Sequence, residues 1–223
     1  MSTWLREVVA IFVKEWRCEL RTRVALSTVV LFAVTTLVVV SLALGPAGTS
    51  PELRPALPVL LWIILLFAAT AGLPRAFVHE EETGTADALR LASSPTALFL
   101  GKSLYNLALI LALEAVVAPI FVGMLRLPVA SPLDFLGALL AGAVGLAFGS
   151  TLIAAMVAQA RLRGPLFAVL AFPVLLPLLK LAIDATYAAV EGDPAAMAIR
   201  LSLLYDSMLT VAGLMLFPAV WNP

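Results

Sequence analysis

Cysteine and histidine are almost absent from this sequence, which has one of each, Cys18 and His79. A single cysteine excludes an internal disulfide and any thiolate metal cluster. A single histidine likewise excludes a site that needs several imidazole ligands from one copy of the chain. We therefore expect no metal site and no bis-histidine haem ligation by this chain alone.

Charged residues are also scarce, at 13% of the chain, and 14 Lys and Arg balance 14 Asp and Glu. The zero net charge gives no basic signal for nucleic-acid binding. By contrast, 62% of the 223 residues are hydrophobic and the mean hydropathy is +1.07. A soluble domain is about half apolar and about a quarter charged. The composition therefore predicts an integral membrane protein.

Long uncharged runs predict an all-α protein with six transmembrane helices, because a helix needs roughly 20 mainly apolar residues to cross the hydrocarbon core. A transmembrane β-barrel requires strands of about ten residues in which apolar and polar side chains alternate, and this pattern is absent from the sequence. Glycine and proline mark the breaks between the runs. The predicted spans are Val24–Leu44, Leu57–Leu73, Ser103–Leu125, Leu133–Val157, Leu166–Val190 and Met197–Val220. Residues 24–223 thus form one transmembrane domain.

Residues 1–23 precede the first span, and their pattern from residue 4 onward predicts an amphipathic helix. Seven apolar side chains share one face, whereas Arg6, Lys14 and further arginines lie on the opposite arc. This helix either lies in the membrane interface with its cations towards anionic head groups or is a plain basic anchor, and we favour the interfacial helix. Glu15 and Glu19 fall within the apolar arc, which indicates a protein neighbour there in place of lipid.

The distribution of Lys and Arg predicts the orientation. With the N-terminus in the cytoplasm, the inner segments hold ten of these residues and the outer segments four. The bias places both termini in the cytoplasm, as expected for a multi-pass protein of a bacterial inner membrane.

The predicted cytoplasmic loop between spans two and three has an unusual pattern. Three consecutive carboxylates precede a glycine, a short helix capped by Thr85, a proline at residue 95 and then Lys102. The pattern fits a docking element for a soluble partner, although an ordinary solvated loop is the alternative. The docking residues that we predict are Glu80, Glu81, Glu82, Gly84, Asp87, Leu89 and Leu91.

The spans, the N-terminal helix and the stretch from Glu80 to Lys102 together resemble the permease subunits of ABC-2-type exporters. More narrowly, the chain is similar over nearly its whole length to the haem exporter protein B family (CcmB) of cytochrome c maturation. Two positions depart from the family's pattern. Ala86 stands where leucine is more common, and Ser93 stands where a first proline is common.

The resemblance implies a permease subunit without catalytic residues of its own. The sequence contains no Gly-x-x-x-x-Gly-Lys-Ser/Thr phosphate loop, so ATP is expected on a separate cytoplasmic ATP-binding cassette subunit. A haem-handling membrane subunit and a small D-type subunit are the other partners that the resemblance implies. Haem is then expected as cargo of the complex, with no cofactor bound by this chain alone.

Ionisable residues inside the predicted spans are candidates for function because each costs about 2.5 kcal/mol or more to insert. We expect Glu114 either to line a path or contact a partner, or to make a helix–helix hydrogen bond to a polar neighbour such as Asn106 or Ser150. Asp206 lies near the middle of span six. Lys180 and Asp184 are one turn apart and are expected to pair with each other.

Small residues recur every four positions along span four, at Gly137, Ala141, Gly145 and Gly149. This spacing predicts close packing against another helix, with a second copy of the chain as one candidate. Three other functions stay open beside haem export: an integral-membrane enzyme with Glu114 or Asp206 as base, a scaffold without energy coupling, and an ABC-2 permease for a lipid or drug.

Overall fold

The computed structural model describes residues 3–72, 80, 84–158 and 163–221, and every regular element in these residues is helical. Two 3-10 turns, Ala47–Thr49 and Arg54–Ala56, lie between the second and third helices. The α-helices are α1 (Thr3–Thr22), α2 (Val24–Leu44), α3 (Leu57–Gly72), α4 (Ala86–Ala92), α5 (Pro95–Leu125), α6 (Pro132–Ala158), α7 (Arg163–Glu191) and α8 (Ala196–Trp221).

Five helices of the described residues, α2 and α5 to α8, are long and apolar enough to cross a membrane. The all-α prediction is therefore confirmed, together with five of the predicted spans. The remaining predicted span corresponds to α3, which is apolar but has 16 residues in its described part. The largest difference between a predicted and an observed helix boundary is at α5, which begins at Pro95, whereas the predicted span begins at Ser103. Its 31 residues extend about 46 Å, so α5 outreaches a hydrocarbon core of about 30 Å.

The centre of the bundle is α6, which packs against α5, α7 and α8. Along its most apolar stretch 83% of the residues are buried, whereas the share is 22% in α2 and in α8. Glycines allow the neighbouring helices to approach closely. The ring of Trp62 in α3, for example, lies against Gly142, where a Cβ atom would overlap it.

Polar side chains link the helices across the interior. Asn106 of α5 donates to the hydroxyl of Thr151 in α6 at 2.8 Å, and Trp62 donates to the hydroxyl of Thr186 in α7 at 2.9 Å. The hydroxyl of Tyr205 in α8 donates to the Val174 carbonyl in α7 at 2.8 Å. Bonds of this kind fix helix positions where apolar packing alone has little preference over lipid.

Candidate functional site

Helix α1 lies along the N-terminal end of α5, and paired polar groups join the two helices near their start. The Glu7 carboxylate accepts hydrogen bonds from the backbone N–H and the hydroxyl of Ser94, at 3.0 and 2.7 Å. Ser94 precedes the first residue of α5, so Glu7 serves the unpaired N–H groups of a helix start. The hydroxyl bond and then the backbone bond lower the pKa of Glu7. Three residues before Glu7, Trp4 Nε1 donates to the Thr96 hydroxyl at 3.1 Å.

One turn further along, the two helices touch at a glycine. A Cβ atom on Gly101 would lie 2.7 Å from the side chain of Ile11, which is closer than real Cβ contacts. The absence of a side chain at residue 101 therefore allows α1 to lie directly on α5.

A cluster of four charged side chains, Lys14, Glu15, Glu80 and Lys102, joins α1, α5 and the segment before α4. Lys102 of α5 is fully buried, with 0% of its side chain exposed, and its Nζ lies 3.0 Å from Glu15 and 3.0 Å from Glu80. Lys14 lies 2.5 Å from the same Glu80 oxygen and 3.2 Å from Glu15. Two cations thus alternate with two carboxylates, which is the arrangement that keeps buried charges compensated. We call these four residues the charge cluster.

The charge cluster favours the ionised forms of its members on α1. Burial works to raise the pKa of Glu15, but the charges of Lys102 and then Lys14 outweigh it and hold that pKa below its ordinary value. Burial also works to lower the pKa of Lys14, whereas the charge of Glu15 and the bond to Glu80 raise it above its ordinary value. Opposite shifts of this sign are those expected for a mutually stabilising ion pair.

Glu19, near the end of α1, connects this helix to α5 and to α2. Its carboxylate accepts from the Tyr105 hydroxyl at 3.2 Å and from the backbone N–H of Leu26 at 2.7 Å. Glu15 and Glu19 are both buried, and the protein neighbour that their positions indicated is α5. The sequence pattern could not name this partner because α5 lies more than 80 residues away.

The predicted docking residues take different positions. Glu80 is 3% exposed and belongs to the charge cluster, so its carboxylate holds the segment onto α1 and α5. Gly84 is exposed and has φ +68°, a conformation that glycine adopts without strain. Leu91 is 91% exposed, whereas Leu89 is half-buried and packs against the core. Glu81, Glu82 and His79 lie outside the described residues, and so does the side chain of Asp87.

The expected cap of α4 is not formed. Thr85 occupies the N-cap position, but its φ of −89° and ψ of −6° are helical and its side chain makes no cap hydrogen bond. Its backbone N–H instead bonds the carbonyl of Glu80 at 3.0 Å. The prediction of a side-chain cap was wrong because a capping residue needs an extended backbone.

Arg90 holds α4 against the end of α8, a contact that the sequence did not predict. Its Nε donates to the carbonyl of Trp221 at 3.1 Å, and its guanidinium lies 5.0 Å from the centre of the Trp221 ring. A basic residue in the last turn of a short helix was the signal present in the sequence. It pointed to no partner because 131 residues separate the two.

Two carboxyl groups lie inside the transmembrane bundle. Glu114 is 4% exposed, and its Oε1 has no hydrogen-bond partner among the described residues. The neighbours that we expected for it bond elsewhere: Asn106 bonds Thr151, and Ser150 bonds the carbonyl of Leu146. Neither of these two neighbours is seen to bond Glu114 in the described part of the chain, so its role stays a prediction.

Asp206 is 2% exposed, and both of its carboxylate oxygens lack a partner within the described part of the chain. The carboxylate lies against Gly145 of α6. The other charged pair of the spans, Lys180 and Asp184, is exposed and bonded to itself, with Lys180 Nζ 2.5 Å from Oδ1 of Asp184.

The small-residue face of α6 packs against helices of the same chain. A Cβ atom on Gly137 would meet Ile199 of α8 at 3.2 Å, and one on Gly149 would meet Leu175 of α7 at 2.8 Å. This face of α6 is therefore covered within the chain and is not accessible to a second copy. Among the described residues, no group of three or more His, Cys, Asp or Glu could hold a metal ion.

Comparison with known proteins covers almost the entire chain. The family described as CcmB protein matches residues 6–220. The chain is also 30% identical over 165 residues to the heme exporter protein B of Bradyrhizobium diazoefficiens, a match that spans 73% of each sequence.

Proposed function

Because this chain belongs to the CcmB protein family, we propose that it is the membrane permease subunit of an ABC transporter complex that acts in haem export for cytochrome c maturation. The match over residues 6–220 is the observation that carries the proposal. The helical bundle with five long apolar helices fits a membrane subunit. Haem is the cargo of the complex, and this chain binds no cofactor by itself.

A separate cytoplasmic ATP-binding cassette subunit supplies the energy by docking on the segment from Gly84 to Ser93, which we call the coupling segment. The support for this is Leu91, whose side chain is 91% exposed although it lies outside the apolar spans. Burying such a side chain in a partner's cleft contributes roughly 1.5–3 kcal/mol. Glu81, Glu82, Gly84 and Asp87 precede the leucine in the sequence, and in this proposal the carboxylates set the orientation and the association rate through their charge.

The charge cluster joins the coupling segment to the rest of the permease. Glu80 precedes the segment and is paired with α1 through Lys14 and with α5 through Lys102. A displacement of the segment by the ATPase therefore reaches both helices, because separating these buried charges is costly. In this proposal, residues 1–23 form an interfacial helix that moves together with the coupling segment.

The permease domain, residues 24–223, crosses the inner membrane six times, with the predicted span Leu57–Leu73 as the second crossing. Both termini face the cytoplasm. A haem-handling membrane subunit and a small D-type subunit complete the complex, which can contain two copies of this chain. A homodimer would use a face other than the glycines of α6, since α7 and α8 cover those.

The test is copurification of the ATPase with a Leu91→Asp variant. The matched control is Leu133→Asp, which also changes a leucine at a helix end that is 83% exposed but lies on the predicted outer side. We expect Leu91→Asp to insert normally and to lose the ATPase, and Leu133→Asp to keep it. Undiminished copurification with Leu91→Asp would show that the coupling segment does not dock the ATPase.

A further inference from the structure

A side chain of the coupling segment bonds the end of the last span. Arg90, in the last turn of α4, donates to the carbonyl of Trp221, the last residue of α8, at 3.1 Å. The carbonyls at the end of a helix have no partner within the helix, so Arg90 satisfies one of them. Its guanidinium also lies over the indole ring at 5.0 Å, within the range of a cation–π contact.

Ring contacts continue from Trp221 into the bundle. Trp221 stacks on Phe217 at 5.8 Å, and Phe217 lies 5.4 Å from Phe99 of α5, which in turn meets Phe148 of α6 edge to face at 6.1 Å. Gly213, one turn before Phe217, allows the Phe99 ring to lie directly on α8. These rings form a contiguous packed path from Trp221 into the interior of the bundle.

One side of α4 faces α8, and another side is exposed. Arg90 is half-buried and faces α8, whereas the next residue, Leu91, is 91% exposed. Successive residues of a helix are about 100° apart, so one side of α4 can receive a partner while the other side holds Trp221. The helix is thus placed between a free surface and the end of α8.

The chain connects α4 directly to α5 through Ser93 and Ser94, so motion of α4 reaches α5 through the backbone. No such connection exists to α8, which begins more than 100 residues later. Arg90 provides a side-chain bond from α4 to α8 in its place. The last span also carries Asp206, whose buried carboxylate has no partner within the described part of the chain.

We propose that Arg90 is a positioning residue that transmits the motion of α4 to α8, so that ATP hydrolysis moves the last span of the permease. The proposal rests on the proposed docking of the ATPase at the coupling segment. It assigns to Arg90 the task of coupling and to Leu91 the task of docking.

The experiment uses the full chain in the complex with its ATPase and the variants Arg90→Gln and Arg54→Gln. Arg54 is a matched control because its Nε also donates to a backbone carbonyl, that of Gly48 at 3.2 Å, on the predicted outer side. The readings are the amount of ATPase that copurifies, the rate of ATP hydrolysis and the yield of mature c-type cytochrome. A residue with a merely structural role would lower all three together.

We expect Arg90→Gln to retain the ATPase and its hydrolysis while the cytochrome yield falls about tenfold, a typical size for a lost coupling. Arg54→Gln should stay within about twofold of the wild type by every reading. Arg90→Lys should give an intermediate yield, because lysine keeps the charge but not the planar group that stacks on Trp221. If Arg90→Gln inserts poorly, Arg90→Lys decides by the same readings.

A wild-type cytochrome yield with Arg90→Gln would overturn the proposal. Loss of the copurifying ATPase with Arg90→Gln would also overturn it, since Arg90 would then belong to the docking surface, and would leave the proposed function standing. Failure of the docking proposal would look different, because Leu91→Asp would then retain the ATPase.

Discussion

Gly145 of α6 lies directly beneath the carboxylate of Asp206 in α8, so closely that a Cβ atom at residue 145 would overlap Oδ1. Leu178 of α7 occupies the same space from the other side. Three helices therefore meet at one residue without a side chain, near the centre of the bundle. The contact explains why glycine is needed at this position, and the first prediction follows from it.

Gly145→Ala should destabilise the bundle by about 1–3 kcal/mol, the usual cost of overpacking a close contact. The control is Gly123→Ala in α5, where a new Cβ atom would meet nothing within 4 Å. Unfolding in detergent by titration with dodecyl sulfate measures both. Equal stability of the two variants would show that α6, α7 and α8 do not meet at residue 145 as described.

Lys102→Met should cost about 3–5 kcal/mol of stability, because it removes the buried cation of the charge cluster and leaves the exposed Lys14 to compensate the two buried carboxylates of Glu15 and Glu80. The matched control is Lys180→Met, which breaks the exposed pair with Asp184 and should cost less than about 1 kcal/mol. The same detergent titration applies. A Lys102→Met variant as stable as Lys180→Met would contradict the burial of the charge cluster.

The attachment of α1 should depend on pH in two directions. The pKa of Glu15 lies below the ordinary glutamate value of 4.5, so its stabilisation is full above pH 4.5 and is lost as the pH falls through its lowered pKa. The pKa of Lys14 lies above the ordinary 10.5, so its contribution is full below pH 10.5 and is lost as the pH rises through the raised value.

A fluorophore on Cys18, the single cysteine of the chain and an exposed one, can report the attachment. Its anisotropy should drop at a lower temperature in acid and in strong base than near neutral pH. In Glu15→Gln the acid effect should be smaller, because the amide does not titrate. The same acid effect in Glu15→Gln as in the wild type would assign it to other groups.

Reporter fusions should place residues 48 and 129 outside and both termini in the cytoplasm. The reason is the ten-to-four excess of Lys and Arg in the inner segments, which are retained during insertion. Alkaline phosphatase fused after each position should be active. Inactive enzyme at both positions would reverse the orientation, and the coupling segment would then be unable to meet a cytoplasmic ATPase.

Glu114→Gln should leave insertion unchanged and lower the yield of mature c-type cytochrome. The amide keeps the shape of the side chain but can neither ionise nor transfer a carboxyl proton, and no described partner of Oε1 is lost. The membrane level of the variant and its cytochrome yield are the two measurements. Wild-type yield would reduce Glu114 to a dispensable packing residue.

Some features of this protein were determined by the sequence alone. The uncharged runs predicted an all-α membrane protein, and the first predicted span has the bounds of α2, because the length and hydropathy of a span follow from bilayer thickness. The carboxylates of Glu15 and Glu19 in an apolar arc correctly indicated a protein neighbour. The resemblance to the CcmB family was read from the same residues and is confirmed by the match over residues 6–220.

Tertiary structure alone decided which distant groups meet. Glu80 looked like part of an exposed acidic run, but Lys14 and Lys102 bury it, since a lysine enclosed on α5 requires compensating carboxylates. Leu89 and Leu91 appeared equivalent in the sequence, yet only Leu91 faces away from the protein. The contact of Arg90 with Trp221 joins residues that are 131 positions apart in the sequence. Local periodicity carries no information about such pairs, because the packing of whole helices brings them together.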